Sequence, residues 1–197
     1  VSFVERVTGF TLDPVQRSVL ECTEPWVLIN CFRQWGKSTI TAGKAVYVAW
    51  TTPGTLVLVA SPGSRQTGEF MQKAEEMVRR LGVRVRGDGN NEQSILLPNG
   101  SRIVGLPGNP DRVRGFTKVK LLILDEASRM TDETYDALRP CTVEANGSIW
   151  MLSTPNGRRG FFWNTWKEEG WAKFAVTGWM CERLPKERLE LEQRTRG

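Results

Sequence analysis

A chain of 197 residues is long enough to bury one good core, and its 10 prolines and 19 glycines suit a single compact α/β domain. With no apolar stretch near the ~18 residues of a membrane span and no n-region followed by an h-region, neither a membrane anchor nor a secretory signal is expected. A net charge of +5, four cysteines without C-x-x-C spacing and no histidine suit a reduced, cytosolic setting, argue against a zinc site and exclude histidine-dependent triads.

The chain starts at Val1 without an initiator methionine and stops in a charged, helix-like run at 186–196, the pattern of a fragment or a processed piece. Asp13 and Pro14 open a capped helix over 13–20, with proline at the first helical position. Residues 26–30 form a short apolar run suited to a buried strand, and 38–46 continue as a helix. Between them, residues 31–38 read Cys-Phe-Arg-Gln-Trp-Gly-Lys-Ser, a phosphate-binding loop of the G-x-x-x-x-G-K-[ST] type with Cys31 in place of its first glycine. Strand, loop, helix is the arrangement that aims a helix N-terminus at an anion.

A turn at 52–55 and a second buried strand at 56–60 follow, broken at 61–64. Residues 66–81 read as an amphipathic helix with Phe70, Met71, Ala74, Met77, Val78 and Leu81 on one side. Two apolar runs at 94–98 and 101–106 flank Asn99-Gly100, which predicts a hairpin whose two turn residues both take positive φ, an antiparallel decoration on a parallel core. A polar, basic loop covers 108–114. The strand expected at 120–126 ends in two carboxylates, the helix at 131–138 is capped, and the strand at 148–154 ends in hydroxyls. An aromatic-rich helix at 160–170 and a last strand at 172–176 complete the reading, with no internal repeat or low-complexity segment.

Without histidine, a general base must be a carboxylate, lysine, tyrosine or cysteine. In the phosphate loop, Lys37 reaches the β/γ oxygens of a nucleotide and Ser38 ligates Mg²⁺. Asp125 at the end of its strand can hold Mg²⁺ opposite Ser38, and Glu126 can orient and deprotonate an attacking water; by itself the pair would merely cap the following helix. Ser153 and Thr154 either sense the γ-phosphate or cap the turn at 155–157. Gln16 either reads an adenine edge or is a surface glutamine. Arg33 is expected to be buried beside the phosphates or paired with Glu126. Arg112 and Arg114, the latter preferred, are candidates for an arginine finger, a DNA phosphate contact or a solvated charge. Trp35 reads as core, and Cys31 as a small residue permitting a tight turn, with no assigned reactivity. Basic residues outnumber acids between Arg65 and Lys120, either as a solvated face or as a polyanion-binding surface.

Taken together, residues 31–39, the Leu97-Pro98-Asn99-Gly100-Ser101 hairpin, Arg114-Gly115-Phe116, residues 121–127 and Ser153-Thr154-Pro155 resemble the ATPase domain of the large terminase subunit of tailed bacteriophages. The resemblance covers about residues 10–180. It implies an α/β P-loop NTPase fold of the additional-strand, catalytic-glutamate type, and an ATP-driven motor that packages viral double-stranded DNA into a procapsid. It implies Lys37 and Ser38 in the phosphate loop with Gln34, Gly36 and Thr39 beside them, Asp125 on Mg²⁺, Glu126 as base and Ser153-Thr154 in coupling. Gln16 would lie on adenine, and Arg33 or Arg114 would stabilise the transition state in cis or in trans. The implied cofactors are ATP and Mg²⁺. The implied partners are DNA, further copies in a ring on a portal or procapsid, and a small terminase subunit, in the host bacterial cytosol and away from any membrane.

On this reading residues 1–180 are the ATPase domain and 181–197 the start of a linker or lid helix. A complete large terminase also carries a C-terminal nuclease, which so short a tail cannot contain, so ATP hydrolysis without DNA cleavage is expected. The alternatives are a superfamily 2 helicase-like DNA-dependent ATPase and a nucleotide-gated binding module that hydrolyses nothing.

Overall fold

A run such as Leu-Val-Leu-Val-Ala at 56–60 has no polar position to turn toward water, so both faces of its strand must be covered, which is the condition of a parallel sheet between helix layers. The computed structural model describes residues 1–107, 115–181 and 184–196. Its strands are β1 (Trp26–Cys31), β2 (Leu56–Ser61), β3 (Ser94–Leu96), β4 (Arg102–Pro107), β5 (Val119–Asp125), β6 (Ser148–Ser153) and β7 (Ala172–Val176). They form one sheet in the order β3-β4-β2-β5-β6-β1-β7, and every neighbouring pair is parallel except β3 with β4. The helices are α1 (Ser2–Thr8), α2 (Pro14–Glu21), α3 (Lys37–Thr51), α4 (Ser64–Arg80), α5 (Asp132–Leu138), α6 (Gly160–Lys167) and α7 (Lys186–Arg196). No described helix is long and apolar enough to cross a membrane.

Side chains alternate between two cores. Val27, Ile29, Val57, Val59, Ile123 and Trp150 face the layer built from α1 to α4, whereas Leu28, Leu58, Leu122, Leu124 and Met151 face Tyr135, Leu138, Phe161 and Phe162 of α5 and α6. Tyr135 and Phe161 stack with centroids 4.5 Å apart, joining those two short helices. Helix α1, too short to announce itself by periodicity, docks through Val4 onto α3 at Gly43, where a Cβ would lie 2.7 Å from a Val4 methyl. Helix α6 stops at Lys167, short of the expected 170, because Glu168 turns to extended geometry.

The hairpin corrects one expectation. Gly100 alone takes positive φ, 80°, and Asn99 does not. Pro98 favours the first central position of an ordinary turn, closed by Gly100 N–H donating to the Leu97 carbonyl at 3.0 Å, so Gly100 becomes the left-handed bulge of a longer loop. The Asn99 amide is then free to donate to the carbonyls of Ala49 and Trp50 at the end of α3. Strand β4 lies inside the parallel sheet beside β2, leaving only β3 antiparallel at the edge.

Register places the strand ends. Asn30 of β1 pairs with Ser153 of β6, and Asp125 of β5 with Leu152, so the carboxyl ends of three neighbouring strands lie side by side. The opposite end is held by a close backbone approach: a Cβ on Gly147 would fall 2.1 Å from the Val119 carbonyl oxygen. Gly147→Ala is therefore expected to destabilise the fold by about 1–3 kcal/mol, read as a lower denaturant midpoint at unchanged slope; a wild-type midpoint would show that β5 yields freely there.

Candidate functional site

Between β1 and α3 the chain turns through residues 32–36. Gln34 and Gly36 take positive φ, 66° and 99°, and at Gly36 a Cβ would also lie 3.2 Å from Gln16 Nε2. Both constraints at position 36 require glycine there. Cys31 needs no such freedom, since it is the buried last residue of β1. Burial pushes its thiol up to about 12, against the opposing pull of Lys37, so it is inert as a nucleophile.

The loop is pinned from α2. Asp13 caps that helix by accepting from Gln16 N–H at 2.8 Å, and the Gln16 side chain returns the bond by accepting from Asp13 N–H at 3.0 Å. The other end of the same amide donates to the Trp35 carbonyl at 2.8 Å, and Trp35 Nε1 donates to Asp13 Oδ2 at 3.1 Å. Gln16 is thus buried, as is Trp35, and keeps one amide N–H and one lone pair beyond these bonds.

Helix α3 points its first turn at the ends of β5 and β6, and there the first two N–H groups, of Lys37 and Ser38, have no intrahelical acceptor. Lys37 Nζ lies 2.7 Å from Glu126 Oε1 and 3.5 Å from Thr154 Oγ1. Ser38 Oγ donates to Asp125 Oδ2 at 2.9 Å, while Asp125 Oδ1 is buried with no hydrogen-bond partner. Burial raises the Asp125 carboxyl to about 6, outweighing the Ser38 bond and the Lys37 charge. Glu126 leaves the strand in the left-handed region, φ 56° and ψ 40°, a conformation that costs a non-glycine residue about 1 kcal/mol or more and turns its carboxylate toward Lys37. Three of the four buried polar side-chain atoms without a partner among the described residues, on Asn30, Ser61 and Asp125, stand at the carboxyl ends of β1, β2 and β5. Orphaned polar atoms gathered on one edge mark a place for ligand oxygens or water.

Six expected residues therefore meet: Lys37, Ser38, Asp125, Glu126, Ser153 and Thr154. Ser153 is buried, with Oγ 3.5 Å from Glu126 Oε2. Thr39 sits half-buried on the first turn of α3 and donates its N–H to Gly36 at 3.0 Å. Arg33 corrects an expectation. It is exposed rather than buried, it does not pair with Glu126, whose cationic partner is Lys37, and with Gln34 it lines a cavity of about 640 Å³ shared with Leu184, Arg188 and Leu189. Arg112 and Arg114 lie outside the described residues. Sequence reasoning missed Ser128, whose hydroxyl meets Ser153 Oγ across the gap between β5 and β6, and Asn156, which donates to the Ser128 carbonyl; a serine two residues past Glu126 was the only signal.

The family model "Terminase large subunit, T4likevirus-type, N-terminal" matches residues 29–195. The Thermus phage P74-26 large terminase ATPase domain is similar in structure at a TM-score of 0.82 with 21% identity, over 98% of this chain and 90% of that one. The large terminase from a thermophilic bacteriophage gives 0.77 at 16% identity, over 95% of this chain and 51% of that one, so the chain spans about half its length. That terminase is also known in complex with ADP and with ATP-γ-S. The HK97 bacteriophage large terminase gives 0.70 at 15% identity, over 87% and 43%. At these identities the likeness shows the fold. No curated protein matches the sequence.

A carboxyl raised above its ordinary value by burial carries a cost that is absent below that value and full above the folded one, here about 6. Asp125→Asn is expected to raise stability by about 2 kcal/mol at pH 7.5 with chelator and no nucleotide, and to lose that gain at pH 4. Thermal melts at the two pH values check this; equal shifts would remove burial as the cause.

Proposed function

The chain belongs to the terminase large subunit family, T4likevirus-type, as its N-terminal region, and from that premise we propose that it is an ATP-hydrolysing motor domain that drives viral double-stranded DNA into a procapsid. The observation that carries the reading is the convergence of Lys37, Ser38, Asp125 and Glu126 at the mouth of α3. The thermophilic bacteriophage terminase, of the same fold, has been seen with ADP and ATP-γ-S, which supports a nucleotide at this position.

Mg²⁺ fits the donor set. The unpartnered Asp125 Oδ1 and the Ser38 hydroxyl are hard oxygens, and among the described residues no group of three or more acidic, cysteine or histidine side chains forms a closed cage. Ser38 and Asp125 would hold the ion. When bound it neutralises charge on the transferring phosphoryl group. The first turn of α3 takes the phosphates on its free N–H groups and its positive dipole end. A γ-phosphate competes with Glu126 for Lys37. Glu126, released, orients a water and accepts its proton. Arg33, already exposed at the loop, or Arg114 adds positive charge in cis or from a neighbouring copy. The assembly is a homo-oligomeric ring on the procapsid portal, with the small terminase subunit as a further partner.

The basic stretch is partly self-neutralised: Arg65, Arg79, Arg102 and Lys118 pair with Glu69, Glu75, Asp88 and Glu144. Arg84 and Arg86 are exposed and make no ion pair to a described residue, so they are the first DNA-backbone contacts to test. Replacing each with alanine is expected to lower the slope of log affinity against log salt by about 1, uniformly across DNA sequences. Fluorescence anisotropy over a salt series measures this, and unchanged slopes would move the DNA face elsewhere.

The decisive experiment is ATP hydrolysis across a protein concentration series beside Glu126→Gln. Activity rising more than linearly with concentration, and falling about 10²–10⁴-fold in the variant, is expected. Nucleotide retention with no turnover, even with DNA present, would instead favour the gated binding module.

A further inference from the structure

The hydrogen bonds between the ends of β5 and β6 offer more acceptors than there are protons. Ser128, in the short turn Ala127–Arg129 after Glu126, donates its N–H to Ser153 Oγ at 3.2 Å. Its own Oγ lies 2.6 Å from Ser153 Oγ and 3.1 Å from the Thr154 carbonyl oxygen. Ser153 Oγ is also 3.1 Å from that carbonyl and 3.5 Å from Glu126 Oε2. Asn156 Nδ2 donates to the Ser128 carbonyl at 3.1 Å, tying the turn to the chain that leaves β6.

Each hydroxyl carries one proton, and two oxygens 2.6 Å apart need a proton between them. Three arrangements satisfy this; in one of them Ser128 donates to Ser153 and Ser153 to the Thr154 carbonyl, which leaves Glu126 without a hydroxyl, and the other two differ as follows. In the first, Ser128 donates to Ser153, and the Ser153 proton is available to Glu126. In the second, Ser153 donates to Ser128, the Ser128 proton goes to the Thr154 carbonyl, and Glu126 receives no hydroxyl. What selects between them is the pull of Glu126. With Lys37 on Oε1, the carboxylate is partly neutralised; with Lys37 drawn to a γ-phosphate, it becomes the stronger acceptor.

We propose that Ser128 is a positioning residue, a hydroxyl relay that passes the state of Glu126 to the Thr154 carbonyl. The relay deepens the ATPase reading and rests on it. Arrival of a γ-phosphate selects the first arrangement and relieves the hydroxyl bond to the Thr154 carbonyl; its loss restores that bond, from Ser128 or from Ser153. Each switch moves only hydroxyl protons, but it changes which bonds hold the chain leaving β6, a two-state element that the nucleotide biases.

Ser128→Ala and Ser128→Thr test the relay beside wild type, with steady-state ATP hydrolysis and with amide hydrogen exchange over 153–160 in ADP and in ATP-γ-S. Alanine is expected to lower kcat about tenfold with KM within about twofold, and threonine, which keeps the hydroxyl, to restore it. Alanine should also erase the exchange difference between the two nucleotides. A wild-type kcat and a preserved exchange difference in the alanine variant would overturn the relay, as would a threonine variant that fails equally, since packing rather than the hydroxyl would then matter. If wild type binds both nucleotides without hydrolysing them, the ATPase reading fails while the exchange data still judge the relay. If it binds neither, both fall.

Discussion

A parallel sheet covered on both faces has no place for polar side chains except the ends of its strands, and that constraint organises the molecule. Strand β2 is buried at every position, and Leu121 to Leu124 of β5 are likewise closed off from solvent. Asn30, Ser61, Asp125 and Ser153 therefore appear where the strands stop, at the edge toward which α3 directs its unsatisfied N–H groups. Chemistry concentrates there because the fold excludes it elsewhere.

That edge is costly to maintain. Gln34 and Glu126 hold left-handed backbone, Asp125 keeps a desolvated carboxyl, and several buried oxygens lack partners. The surrounding structure offsets this by over-determining the geometry. The Asp13–Gln16–Trp35 set clamps the loop from outside the sheet, and the Ser128–Ser153 pair clamps β5 to β6 from below. Between the clamps, the one Lys37 ammonium serves both the Glu126 carboxylate and the Thr154 hydroxyl.

Much of this was legible in the chain. The apolar runs marked the strands within a residue or two, because burial on both faces leaves so plain a pattern, and Gly36-Lys37-Ser38 and Asp125-Glu126 announced the site by type and order. Part of the basic stretch is also legible: Arg65 with Glu69 and Arg79 with Glu75 are ordinary i,i+4 helix pairs. Arg33 was expected in the interior because of its neighbours in the loop, but exposure of a loop side chain depends on what packs over it, and nothing local encodes that. Asn99-Gly100 signalled a turn correctly and its type incorrectly, since Pro98 and the distant acceptors at the end of α3 chose the longer form.

Ser128 and Asn156 mark the boundary between the two kinds of information. A serine and an asparagine in polar turns look like any others, and Ser128 becomes the partner of Ser153, and Asn156 of Ser128, only because β5 and β6 align with Asp125 beside Leu152. By itself the sequence determined the strands, the longer helices and their apolar burial, and it supplied the Gly36-Lys37-Ser38 loop and the paired carboxylates, because those follow from local pattern and side-chain chemistry. Only the tertiary structure decided which charge Glu126 meets, how Gln16 is occupied and which hydroxyls share protons, because hydrogen bonds and ion pairs across tens of residues are set by strand register and helix docking.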